Sequence, residues 1–133
     1  MKSDNLAMVW SGLIGIVLVV VGLLGFVDNP IVGNSTALFA TGSVHNIVHV
    51  LTGLLGLYIA FGLKGEMQIN GVIGFGVLYA IIFVVLLISP NLFGLFSYSV
   101  NLADQGLHIG LAVISLAIGF MGRSAAMTSR PAR

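Results

Sequence analysis

Three histidines and one aspartate stand out in a chain that is 58% hydrophobic and only 7% charged. His45 and His49 are four residues apart, and so are Asp104 and His108. On a helix that spacing puts each pair on one face, one turn apart. Imidazole nitrogen and carboxylate oxygen together suit Zn, Cu, Fe or Ni, whereas Ca and Mg want more oxygen. If the helices carrying the two pairs meet, His45, His49, Asp104 and His108 converge as a transition-metal site. A second chemistry needs only His49 and His108, as two axial ligands of a haem or as separate chlorin ligands. Gly53, Gly110 and Ala112 nearby are small enough to leave room for a flat ring. A third reading assigns no ligand at all. Asn101 followed by Asp104 resembles a helix N-cap with an acidic first turn, and Asn46, Gln105 and Thr52 read as interhelical hydrogen-bond partners, each worth about 0.6 kcal/mol in a membrane. Proton or solute handling is the fourth, because ionisable groups inside spans commonly mark such pathways.

The elements that must position these residues follow from composition. Soluble domains carry about 25% charged residues, so this chain reads as an integral membrane protein. Apolar runs at about residues 8–27, 44–63, 69–88 and 103–121 each match the length of a membrane-crossing helix. The predicted fold is all-α, four transmembrane helices in a single domain. Asp28-Asn29-Pro30 and Ser89-Pro90-Asn91 end the first and third runs, and Lys64-Gly65-Glu66 makes a turn between the second and third. Residues 124–133 read as a small, polar, basic tail. The net charge of +1 offers no basic stripe for nucleic acid, and with no cysteine there are no thiolate sites or disulfides. No Ser/His/Asp triad or protease motif is visible, so catalysis would require a bound metal with an open position.

The second half echoes the first. At a constant offset of 59, Gly12 matches Gly71, Gly15 matches Gly74, His49 matches His108, Phe61 matches Phe120, and Lys64 is answered by Arg123. The pattern predicts two tandem parallel helical hairpins related by a pseudo-two-fold axis along the membrane normal. Equivalent residues then lie at equal depth. Lys2, Lys64, Arg123, Arg130 and Arg133 all fall on one side, which the positive-inside rule makes cytoplasmic. Both termini are expected inside, with the His/Asp cluster near the outer leaflet. Trp10 is expected near the inner interface and Tyr98 near the outer. Small-residue faces allow a homo-oligomer or membership of a larger membrane complex.

The segment from His45 to Gly56, together with Asn101 to His108, resembles a family of small four-helix bacterial membrane proteins known as domain of unknown function family 4383. The resemblance spans nearly the whole chain. It implies a bacterial inner-membrane location and carries no assigned catalytic or ligand residues.

Overall fold

A computed structural model of the protein describes residues 3–128, with the side chains of Ser3 and Asp4 outside the description. Four helices run in order: α1 (Ser3–Leu24), α2 (Ser43–Gly62), α3 (Gly65–Ile88) and α4 (Leu102–Thr128). Each is long and apolar enough to cross a membrane. Large apolar side chains such as Leu13, Val20, Leu54, Phe61, Ile81 and Phe120 stand exposed along the helices. Such a surface is stable against hydrocarbon and unstable in water.

Each helix packs most closely on its sequence neighbour, α1 on α2 and α3 on α4. The α1–α2 seam is built from residues without side chains. A Cβ on Gly15 would lie 2.8 Å from the Gly53 carbonyl oxygen, and one on Gly53 would lie 2.7 Å from that of Gly15. Neither position admits a larger residue, and the close approach multiplies the van der Waals contacts that hold helices together where no hydrophobic effect operates. In the second seam Gly76 faces the Ala112 carbonyl and Leu116, and Gly119 faces Ile73.

The two seams use comparable contacts. Gly53 and Leu57, which cradle Gly15, stand 59 residues before Ala112 and Leu116, which cradle Gly76. The offset of 59 therefore holds between α2 and α4. Between α1 and α3 the packing uses 61, Gly15 to Gly76, and Gly12 against Ala60 becomes Ile73 against Gly119. Gly74, matched to Gly15 by the constant offset, has open space beside it. A gap-free alignment follows letter identity among similar apolar residues, whereas packing follows which face meets the neighbouring helix.

Helix ends also depart from the apolar runs. The first helix stops at Leu24 rather than residue 27. The Asn29 side-chain nitrogen donates to the carbonyls of Leu24, Val27 and Val32, and its oxygen accepts from the N–H groups of Ile31 and Val32. One side chain thus adds a partner to the last carbonyl of α1 and ties the turn that follows it together. At the turn between α2 and α3 Gly65 takes a φ of +58°, and Gln68 donates to the carbonyls of Ile59, Ala60 and Leu63. Helix α4 continues to Thr128, so residues 124–128 are helical rather than a loose tail. No Gly or Pro interrupts that stretch, which leaves the helix no local reason to stop. Lys2, Arg130 and Arg133 lie outside the described residues.

The segments that join α1 to α2 and α3 to α4 both fold over the helix ends opposite the turn between α2 and α3. In the first, β1 (Val32–Gly33) and β2 (Phe39–Ala40) form a two-residue parallel pair. The Phe39 N–H donates to the Ile31 carbonyl at 2.8 Å, and Thr41 N–H donates to the carbonyl of Gly33. In the second, Leu92, Phe93 and Gly94 take φ values of 51°, 56° and 91°. Two successive non-glycine residues in that region turn the chain sharply and bring Phe96 back toward α2.

Trp10 is turned into the bundle. Its indole N–H donates to Ser115 Oγ on α4 at 2.8 Å, and the ring packs on the core of Ile14, Ile59, Val72, Phe75 and Leu111. The indole N–H thus finds its partner in α4.

Candidate metal centre

Helices α2 and α4 share no close backbone approach; among the described residues no Cα of one comes within 8 Å of a Cα of the other. The space between them is filled by side chains, and toward the starts of both helices those side chains are the histidines. His45 and His49 leave α2 on one face, with ring centroids 4.4 Å apart. His108 projects from α4 to within 5.7 Å of His45 and 6.3 Å of His49. All three are 1% exposed. One ring nitrogen from each lies within 4.8 Å of the others. A tetrahedral metal with bonds of about 2.0–2.1 Å sets its nitrogens about 3.3 Å apart, so closure requires each to move inward by at most about 1 Å. Ring rotation about χ angles supplies a movement of that size.

The surroundings hold these rings in place. Phe96 stacks on His45 at 4.6 Å with the planes 4° apart. Beneath His108 lies Tyr79, whose hydroxyl shares a 2.7 Å hydrogen bond with Thr52 of α2. Gln105 fixes the protonation of His108. Its amide nitrogen donates to the Phe83 carbonyl of α3 at 3.2 Å, which turns its oxygen toward His108 Nδ1 at 3.0 Å. An amide oxygen only accepts, so Nδ1 carries the proton and the lone pair is on Nε2. This is the arrangement by which an outer partner orients a metal-binding imidazole.

His45 and His49 have no such partner. Both nitrogens of both rings are buried without a hydrogen bond. The Ala40 backbone lies beside His45 but outside hydrogen-bonding geometry. A buried polar atom left unpaired costs about 1–3 kcal/mol, so four of them form a substantial local deficit. A metal ion would bind one lone pair on each ring.

Asp104 does not join the trio. Its Oδ2 accepts the Asn101 N–H at 2.9 Å while Asn101 Oδ1 accepts the Asp104 N–H at 2.9 Å, a reciprocal cap on α4. The same Oδ2 accepts the Ala40 N–H of β2 at 3.2 Å. Asp104 thus ties the segment between α1 and α2 to the start of α4, and its Oδ1 is buried without a partner. The sequence signal for this role was the Asn101–Asp104 spacing. Phe96, Tyr79 and the backbone of Ala40 were not legible as neighbours of the site, because each arrives from a distant part of the chain.

Of the residues expected to make room for a macrocycle, Gly53 is pressed against α1, whereas Gly110 has open space beside it. The three centroid separations put His45 about 4 Å from the midpoint between His49 and His108, inside the footprint of a porphyrin ligated by those two.

Fold and site together define an integral membrane protein of four helices with a buried trihistidine cluster toward one end of the bundle. The chain belongs to the family described as domain of unknown function (DUF4383), whose model matches residues 9–121. No curated protein and no solved structure matches it.

Proposed function

We propose that this protein binds a single d-block metal ion through His45, His49 and His108 near the outer leaflet of a bacterial inner membrane. The observation that carries this reading is the burial of three converging imidazoles, two of which have no hydrogen-bond partner on either nitrogen. Three neutral imidazoles favour Zn, Cu or another late first-row ion, and a set of three leaves a coordination position open. Asp104 serves this site indirectly, by holding β2 and the α4 cap around it. A haem or chlorin is disfavoured by His45 standing where the ring would lie.

Both termini are cytoplasmic in this reading, which rests on the one-sided distribution of basic residues. The two hairpins are duplicated units, supported by the matching cradles around Gly15 and Gly76. The lipid bilayer is the principal partner, and oligomerisation would use faces not buried within the single chain.

The test is purification without a His tag in mild detergent, followed by elemental analysis beside a His45→Ala/His108→Ala variant. Near-stoichiometric metal in the parent and none in the variant is the expected result. A parent that remains metal-free after incubation with Zn(II), Cu(II) and Fe(II), while folded, would refute the proposal and leave the cluster a packing device.

A further inference from the structure

The three histidines are supported in different ways. Gln105 accepts from Nδ1 of His108 and so directs the other nitrogen of that ring toward a ligand's role. Neither nitrogen of His45 has a hydrogen-bond partner, and what the ring has instead is an aromatic face. Phe96 lies parallel to it, with ring centroids 4.6 Å apart and planes 4° apart.

The segment between α3 and α4 is bent to deliver that ring. Leu92 and Phe93 take φ values of 51° and 56°, a region that residues with a side chain seldom occupy and hold only where surrounding contacts enforce it. Ser89 Oγ accepts the Phe93 N–H at 2.9 Å, and the Asn91 carbonyl accepts the Phe96 N–H at 2.9 Å. Gly42, at the N-cap of α2, lets the segment come close, because a Cβ there would lie 3.0 Å from that of Ser97. The outcome is selective. Phe93 and Leu95 stay 75% and 62% exposed, whereas Phe96 is 6% exposed and rests on the histidine.

A phenyl face carries negative charge density, so it stacks best on a ring that is short of electrons. A His45 nitrogen that binds a cation gives electron density to the metal and leaves its imidazole positively polarised. The stack on Phe96 then strengthens, by the electrostatics that draw cations to aromatic faces within about 6 Å of the centroid, and burial keeps water from screening it. Compensation of this kind matters here. Asp104 is committed to the N–H groups of Asn101 and Ala40, and the cluster that could hold the ion consists of neutral imidazoles.

We propose that Phe96 is a positioning residue of the metal centre, holding the ring plane of His45 and stabilising the positive charge that this imidazole acquires when it binds the ion. The inference rests on the metal-binding reading above.

The experiment replaces Phe96 in the detergent-solubilised full chain by mono-, di- and trifluorophenylalanine, incorporated at that position alone, and measures Zn(II) affinity against a calibrated chelator. Fluorine withdraws electron density from the face and barely alters the size of the ring. Affinity is expected to fall stepwise with fluorine number, by about tenfold in all, equivalent to about 1.4 kcal/mol and within the range for a desolvated contact between a cation and an aromatic face. Thermal melting of the metal-free forms is expected not to fall along the series, which separates charge stabilisation from packing. Phe96→Leu, apolar but without a face, is expected to bind as weakly as the trifluoro form. Equal Zn(II) affinity across the folded fluorinated series would overturn the proposal and leave the histidine site standing with Phe96 as packing only. A folded parent that binds no Zn(II), Cu(II) or Fe(II) would instead remove the metal reading and this inference with it.

Discussion

Gln105→Leu removes the hydrogen-bond partner of His108 while leaving all three imidazoles in place. The amide makes two hydrogen bonds, to His108 Nδ1 at 3.0 Å and to the Phe83 carbonyl at 3.2 Å. Leucine fills much of the same volume and makes neither. His108 then keeps a buried N–H with no acceptor, free to rotate or to change tautomer, at a penalty of about 1–3 kcal/mol. Loss of such outer partners commonly weakens metal binding by about 10–100-fold, or about 1.4–2.8 kcal/mol, which agrees with that penalty. Gln105→Glu separates orientation from packing. The carboxylate still accepts from Nδ1–H while losing the donation to Phe83, so affinity is expected to stay at or above the parent value. Competition titration with a calibrated chelator in detergent gives the affinities, and thermal melting of the metal-free forms gives the packing contribution. Parent affinity in a folded Gln105→Leu variant would refute the orienting role.

Other outcomes follow from the same geometry. His49→Ala is expected to lose near-stoichiometric metal while helicity by circular dichroism stays intact. Asp104→Ala is expected to retain metal stoichiometry but lower thermal stability by the equivalent of about 0.5–2 kcal/mol, the range for losing an N-cap partner; loss of metal with unchanged stability would make Asp104 a ligand. In the α1–α2 seam, Gly53→Val drives side-chain atoms into the Gly15 carbonyl and should cost about 1–3 kcal/mol or more in thermal unfolding, whereas Gly74→Ala, with open space beside it, should be neutral within about 1 kcal/mol. A green fluorescent protein fused after Arg133 should fluoresce if the C-terminus is cytoplasmic, and a dark, correctly inserted fusion would reverse the proposed orientation.

Four spans, their approximate positions and the polar residues worth inspecting were readable in the linear chain. The reason is the bilayer: a segment with no water to satisfy its backbone must be helical and apolar, so length and composition alone define it. The pairing of His45 with His49 was equally legible, since residues four apart share a helix face whatever surrounds them. Asn101 and Asp104 announced their cap for the same local reason. What lies across the bundle was not local. That His108 reaches both α2 histidines while Asp104, one turn earlier, turns away to hold Ala40 depends on how α4 is rotated against its neighbours. That rotation is set by Gly76, Gly119 and the residues they meet, not by the motif. The shift from an offset of 59 to 61 between α1 and α3, the inward turn of Trp10 and the stacking of Phe96 on His45 have the same origin. Helical periodicity fixes which residues share a face; only the close packing of particular small and large side chains decides which face meets which.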